Sequence, residues 1–233
     1  MRSRRTRGHS LRERPFYKDD EIERICEDSL RSVSLMPDLP SPVRIDRFIE
    51  KKFGVAPTYE DLPDGILGFT AFGTKGVQAV CVSRSLDDGG KVGERRVRST
   101  LAHEGGHGLL HAHLFGLQDC KPLFGDASDP TKPKVMCRDE AAGGTTGPGY
   151  DGRWWEFQAN SAMGCLLLPK VLVERVLEPY FVSRGLLGLK NLDPDRRNEA
   201  SRETSEVFNV NPVVAKLRLE RLFPAASDRQ LTL

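Results

Sequence analysis

Along residues 22–30 the apolar positions Ile22, Ile25, Cys26 and Leu30 recur at three- and four-residue intervals, the spacing of one face of a helix. The run PDLPSP at 37–42 breaks it. A second helix is expected next, with Ser41 as cap, Pro42 in the first turn, Ile45, Phe48 and Ile49 as the apolar face, and Gly54 as the stop. The stretch APTYEDLPDG (56–65) reads as a loop. ILGFTAFGTKGVQAVCVSR (66–84) reads as two β-prone runs about the turn GTKG, an antiparallel hairpin whose second arm is Val77–Val82.

No proline interrupts residues 91–115, where the charged opening KVGERRVRS gives way to apolar residues, so a long helix is expected. Gly105, Gly106 and Gly108 each cost roughly 1 kcal/mol relative to Ala inside a helix, which calls for compensation. Leu101, Gly105, Gly108 and Ala112 fall on one side, a flat strip on which another backbone could lie closely, and this predicts a buried helix. Residues 116–152, rich in Gly, Pro and Asp, are too long for an ordinary connector and have the character of a lid, a binding loop or a disordered insertion.

A further helix opens near Arg153 and carries WWEFQANSAMGCLLL to Pro169, and LPKVLVERVLEPYF predicts another with Pro near its first turn. RRNEASRETSEVFNVNPVVAKLRLERLF (196–223) holds two helical patterns about the turn FNVNP, with Asn211 as cap and Pro212 at the first position of the second. These elements predict an α+β chain in three parts: a basic arm with a short helix at 1–35, a main domain at 36–192, and a helix-turn-helix-like segment at 193–233. No internal repeat is present.

Composition narrows the function. No apolar run approaches the roughly 18–20 residues of a membrane span, and the start MRSRRTRGHSLRER runs into charged residues where a secretory signal would be apolar, so a cytoplasmic protein without a membrane partner is expected. Five cysteines, odd in number and without a CxxC pair, argue against a disulfide framework and a zinc ribbon and predict reduced thiols. Residues 1–14 carry six Arg against one Glu, leaving the rest of the chain mildly acidic. Such an arm could touch nucleic acid, but a solvated, disordered terminus is the simpler expectation.

Four of the five histidines lie in AHEGGHGLLHAH (102–113). His103 and His107, four residues apart on a helix, project from one face and can reach a single metal ion, and Glu104 is placed to take a proton from a metal-bound water. This HExxH pattern predicts a zinc hydrolase site needing a third protein ligand. His113 occupies the last position of HExxHxxGxxH, but Leu110 replaces the glycine that would turn the chain, which leaves His113 about 15 Å along a straight helix from His103. His111 and His113 are therefore expected at the surface or the cleft edge, His111 as a candidate substrate contact.

Glu156 is the best-placed third ligand, because Glu156, Ala159, Asn160 and Met163 share one face of the next strong helix. Ala159 would allow close approach to the glycine strip, and Asn160 could accept the free ring N–H of a ligand histidine. The plainer reading of Glu156 is a favourable acid in a helix's first turn. Trp154 and Trp155 could wall the cleft or simply pack, Tyr150 is a candidate oxyanion donor, and Cys120 and Cys137 are candidate extra ligands.

Three stretches together, RSTLAHEGGHGLLHAH, WEFQANSAMGCLLLP and EVFNVNPVVAKLRLERL, resemble the ImmA/IrrE metallopeptidases over roughly residues 40–223. The resemblance implies a zincin-like core, a small antiparallel sheet packed on the HExxH helix. It implies Zn2+ held by His103, His107 and Glu156, with Glu104 as general base and Val77–Val82 pairing with an extended substrate segment. It also implies regulated proteolysis of a helix-turn-helix transcriptional repressor. Met163 and Gly164 stand where Phe-Ala is frequent, and the segment 116–152 is longer than the pattern. A competing expectation is a DNA-binding regulator or metal sensor with a non-catalytic zinc, in which Lys216, Arg218 and Arg221 face phosphates; Val213, Val214, Leu217 and Leu222 instead look like the core face of an ordinary helix pair.

Overall fold

The computed structural model describes residues 2–5, 13–73, 75–116, 134–138, 154–184 and 189–224, with side chains described over 17–73, 75–114, 154–182 and 191–224. It is an α+β fold with a small sheet. Helix α1 (Asp19–Ser32) buries Ile22, Cys26 and Leu30, as their spacing predicts. Helix α2 (Ile45–Phe53) buries Ile45, Phe48 and Ile49 and ends at Gly54, whose φ of 72° only glycine adopts without strain. It starts later than expected. The Ser41 hydroxyl donates to the Leu39 carbonyl at 3.1 Å instead of capping. Pro42 favours an extended residue before it, and the non-helical approach buries Val43 and brings its carbonyl within 3.2 Å of Arg98 Nη2.

The expected loop at 56–65 contains a short strand, β3 (Thr58–Glu60). The hairpin forms as predicted from β4 (Ile66–Gly73) and β5 (Gly76–Ser83), with a register shift between Ala71 and Phe72. Together with β6 (Lys134–Arg138), inside the segment read as a long loop, they make a four-stranded sheet in the order β3-β5-β4-β6. The β3–β5 pair is parallel and the other two are antiparallel. This order narrows the expectation that Val77–Val82 pairs with a substrate segment: β3 covers Cys81–Ser83 on one side and β4 lines the other, which leaves only Val77–Val80 without a strand opposite β4 among the described residues.

Helix α3 (Lys91–Gly116) lies between this sheet and α4 (Trp154–Leu167) and also touches α2. Every residue from Thr100 to Gly108 is buried. A helix enclosed on all sides shows no amphipathic period, which is why small residues rather than a leucine stripe mark it. The backbone approach expected at Gly105 and Gly108 falls instead on Gly106, where a Cβ would lie 2.9 Å from the Ala159 carbonyl oxygen and 3.0 Å from the Ala162 Cβ of α4. At Gly108 a Cβ would collide with the Phe53 ring at 2.6 Å, whereas at Gly105 nothing comes closer than 3.8 Å.

The helix expected over LPKVLVERVLEPYF is α5 (Lys170–Val176) with Pro169 at its cap, and it stops before Pro179, which a helix interior does not accommodate. An unforeseen hairpin of β7 (Phe181–Arg184) and β8 (Leu189–Leu192) follows. Helices α6 (Arg197–Val207) and α7 (Pro212–Leu222) flank the predicted turn, and the Asn211 side chain accepts from the Val213 N–H at 3.0 Å. One hydrophobic core runs from Ile22 through Leu110 and Leu166 to Leu219, drawing on all three expected parts of the chain. The basic arm, expected as a disordered terminus, pairs with itself: β1 (Arg2–Arg5) lies antiparallel to β2 (Glu13–Phe16), with Glu13 opposite Arg5. Among the described residues no helix is long and apolar enough to cross a membrane.

Candidate metal centre

The close packing of α3 on α4 at Gly106 brings two segments more than fifty residues apart in the chain into register. His103 Nε2, His107 Nε2 and Glu156 Oε2 converge: the first two are 3.0 Å apart, and the carboxylate oxygen lies 3.0 Å from His103 and 3.5 Å from His107. This group could hold a metal ion. The two imidazoles are buried, while the Glu156 side chain keeps 27% of its surface exposed, so the group opens to solvent on the α4 side.

Burial pushes the Glu156 carboxyl up, but the two adjoining imidazoles outweigh it and hold the group well below the usual carboxylate range. Burial is also the largest influence on His107, whose pKa falls despite its bond to Glu156. A divalent ion would require an ionised carboxylate and neutral imidazoles, and both shifts run in that direction.

Asn160 lies where its spacing predicts. Its Oδ1 is 2.9 Å from His103 Nδ1, and an amide oxygen only accepts, so Nδ1 donates that bond and Nε2 is the nitrogen that faces the centre. Glu104 is fully buried on the sheet side of α3. The hydroxyl of Thr70, a buried residue of β4, lies 2.5 Å from Glu104 Oε2 and fixes the carboxylate. Gly68, also on β4, permits this: a Cβ there would sit 2.8 Å from Thr100 Cγ2 and 3.3 Å from Glu104 Oε1. Sequence reasoning missed Thr70. Its signal was a polar side chain on the strand face shared with Gly68 and Phe72.

His111 departs from expectation. It is 1% exposed rather than at the cleft edge, too enclosed to touch substrate, because Trp154 covers it edge-on with ring centres 5.5 Å apart and Gln158 lies 3.0 Å from its Nε2. Burial, with His107 adjoining, lowers its pKa to about 3. Trp154 and Trp155 pack with Phe72 and Leu114. His113 is exposed on the unbroken end of α3, apart from the centre, as the missing turn predicts. Tyr150, Cys120 and the side chain of Cys137 lie outside the described residues.

The C-terminal helix uses its charges internally. Arg218 is buried, with Nη2 2.6 and 2.7 Å from the two carboxylate oxygens of Glu23 and Nε 3.1 Å from the Leu168 carbonyl. Arg221 pairs with Asp19. Two of the three charges expected to face phosphates are thus engaged by acids of α1, while Val213 and Leu217, expected in the core face, are exposed. Comparison of the chain with models of protein families, with curated proteins and with solved structures finds no match.

Proposed function

We propose that this chain is a zinc-dependent endopeptidase with a zincin-type core, acting on a protein substrate. The observation that carries the reading is the triangle of ligand atoms. Two donors each about 2.0–2.1 Å from a tetrahedral zinc lie about 3.3 Å from one another, and the three separations here are 3.0, 3.0 and 3.5 Å. Three protein ligands leave a fourth position open, the pattern of a catalytic rather than a structural zinc.

His103, His107 and Glu156 would hold the ion, which supplies Lewis acidity toward a bound water and the scissile carbonyl. Glu104 accepts the proton of the attacking water and returns it to the leaving amine. The Thr70 hydroxyl holds that carboxylate in one orientation, and Asn160 holds the His103 ring. The partly exposed Glu156 side gives a substrate its approach. The resemblance of the histidine, Glu156 and C-terminal stretches to the ImmA/IrrE metallopeptidases supports a helix-turn-helix repressor as the substrate, in a cytoplasmic regulatory role. The engagement of Arg218 and Arg221 by α1 weighs against the competing DNA-binding reading.

The test compares wild type with Glu104→Gln. Each is purified, its bound zinc is quantified, and it is incubated with a candidate repressor encoded nearby while products are followed by intact mass. The proposal expects about one zinc per chain in both and cleavage by wild type alone. Equal cleavage by the two proteins would remove Glu104 from the mechanism, and wild type without zinc would end the metallopeptidase reading.

A further inference from the structure

We propose that Gln158 and His111 are positioning residues that dictate which nitrogen of His107 carries its proton, and so make that ring a metal ligand. The inference rests on reading His103, His107 and Glu156 as the metal ligands. It concerns a part of the site that the hydrolytic mechanism does not use.

A neutral imidazole has one N–H and one lone pair, so a bond at one nitrogen decides the role of the other. The Gln158 side-chain oxygen lies 3.0 Å from His111 Nε2, and that oxygen only accepts. His111 Nε2 therefore carries the proton and His111 Nδ1 bears a lone pair. His107 Nδ1 lies 3.0 Å from His111 Nδ1 and must be the donor of that bond. The remaining nitrogen, His107 Nε2, faces His103 Nε2 and Glu156 Oε2 and is the one left to bind an ion there. The chain of bonds reaches the centre with the right polarity.

His103 gets the same result in one step from Asn160. Gln158 and Asn160 are two residues apart on α4, so one helix sets both ligands through two amides. His107 needs the intermediate ring because it lies a helical turn farther along α3, where His111 at i+4 is its neighbour. The relay is sealed: His107, His111 and Gln158 are 0%, 1% and 4% exposed, so solvent competes little for these bonds. Its direction hangs on one group. Rotating the Gln158 amide by 180° would present N–H to His111, reverse both bonds, and put a proton on His107 Nε2, where the metal must bind.

The test reads tautomers directly in metal-free protein, by long-range 1H–15N correlation spectra of 15N-histidine-labelled samples, and zinc affinity separately by chelator competition. In wild type His107 should be protonated at Nδ1 and His111 at Nε2. Gln158→Met, which keeps the shape and loses the acceptor, should mix the His107 tautomers and weaken zinc binding about 10–100-fold. His111→Phe should do the same, whereas His111→Asn, with an amide oxygen near the Nδ1 position, should keep affinity within a few-fold of wild type. A His107 ring with no proton at Nδ1 in wild type overturns the inference. So does a Gln158→Met protein that is folded, keeps the wild-type tautomers and binds zinc as tightly. Wild type that binds no zinc overturns the metal reading itself, and this inference with it.

Discussion

Gly105 and Gly106 are neighbours in the same buried turn, yet the structure predicts that alanine acts oppositely at the two. In each case the helix gains roughly 1 kcal/mol when glycine becomes alanine. At position 105 the new methyl meets Leu166, Phe48 and Ile49 at 3.8–3.9 Å, ordinary contact distance, so Gly105→Ala should stabilise by about 1 kcal/mol or slightly more. At position 106 the methyl meets the Ala159 carbonyl oxygen at 2.9 Å, Ala162 Cβ at 3.0 Å and Ala159 Cα at 3.2 Å. None of these is the end of a flexible side chain, so α4 itself must move. Overpacking of this kind costs about 1–3 kcal/mol, which leaves Gly106→Ala between neutral and about 2 kcal/mol destabilised. Because α4 carries Glu156 and Asn160, its metal affinity should fall too. Urea unfolding followed by circular dichroism on metal-free protein separates the two, and in a thermal melt each kcal/mol amounts to about 2–4 °C. Equal shifts of the same sign would refute the packing account of the α3–α4 contact.

Removing the Arg218 side chain with Arg218→Ala should destabilise the fold by about 3–5 kcal/mol, because the Glu23 carboxylate and the Leu168 carbonyl lose a shared buried partner. Arg218→Met with Glu23→Leu should recover much of that loss, as thermal melts of the single and double variants would reveal. The hydrogen bond from Tyr180 to Glu203 raises the phenol to about 12. The folded state therefore holds that proton more tightly than the unfolded one: the stabilisation is complete below about pH 10 and is lost as pH rises through about 12. Spectrophotometric titration of wild type against Tyr180→Phe should show the missing phenol titrating near 12, and a difference centred near 10 would exclude the bond in solution.

The parts of the fold that could be read from the chain are those whose cause is local. The HExxH helix, the capped turn at Asn211 and the stop at Gly54 each follow from side chains within one or two turns of the feature. Glu156 and Asn160 were legible because helical spacing puts them on one face, whatever packs against it. What escaped depends on partners far along the chain. His111 looks exposed until Trp154 and Gln158 of α4 enclose it, and Thr70 reads as a plain strand residue until β4 lies on Glu104. The choice of Gly106 over Gly105 is a rotation of about 100° around the helix, which only the position of α4 decides. Strand β3, three residues with every side chain exposed, leaves no hydrophobic trace at all.

His103 and Glu156 are 53 residues apart in sequence, and what closes that distance is the interlocking of α3 and α4 rather than the chain between them. In polymer terms the cost of closing a flexible loop grows only logarithmically with its length, about 0.6 kcal/mol for each doubling. Segment length and site geometry are therefore separate variables. Provided β6 keeps its pairing with β4, the connection from α3 to α4 can change in length while the two helices keep the histidines and the carboxylate at the same spacing, which makes it the place where this architecture can acquire a new partner without rebuilding its centre.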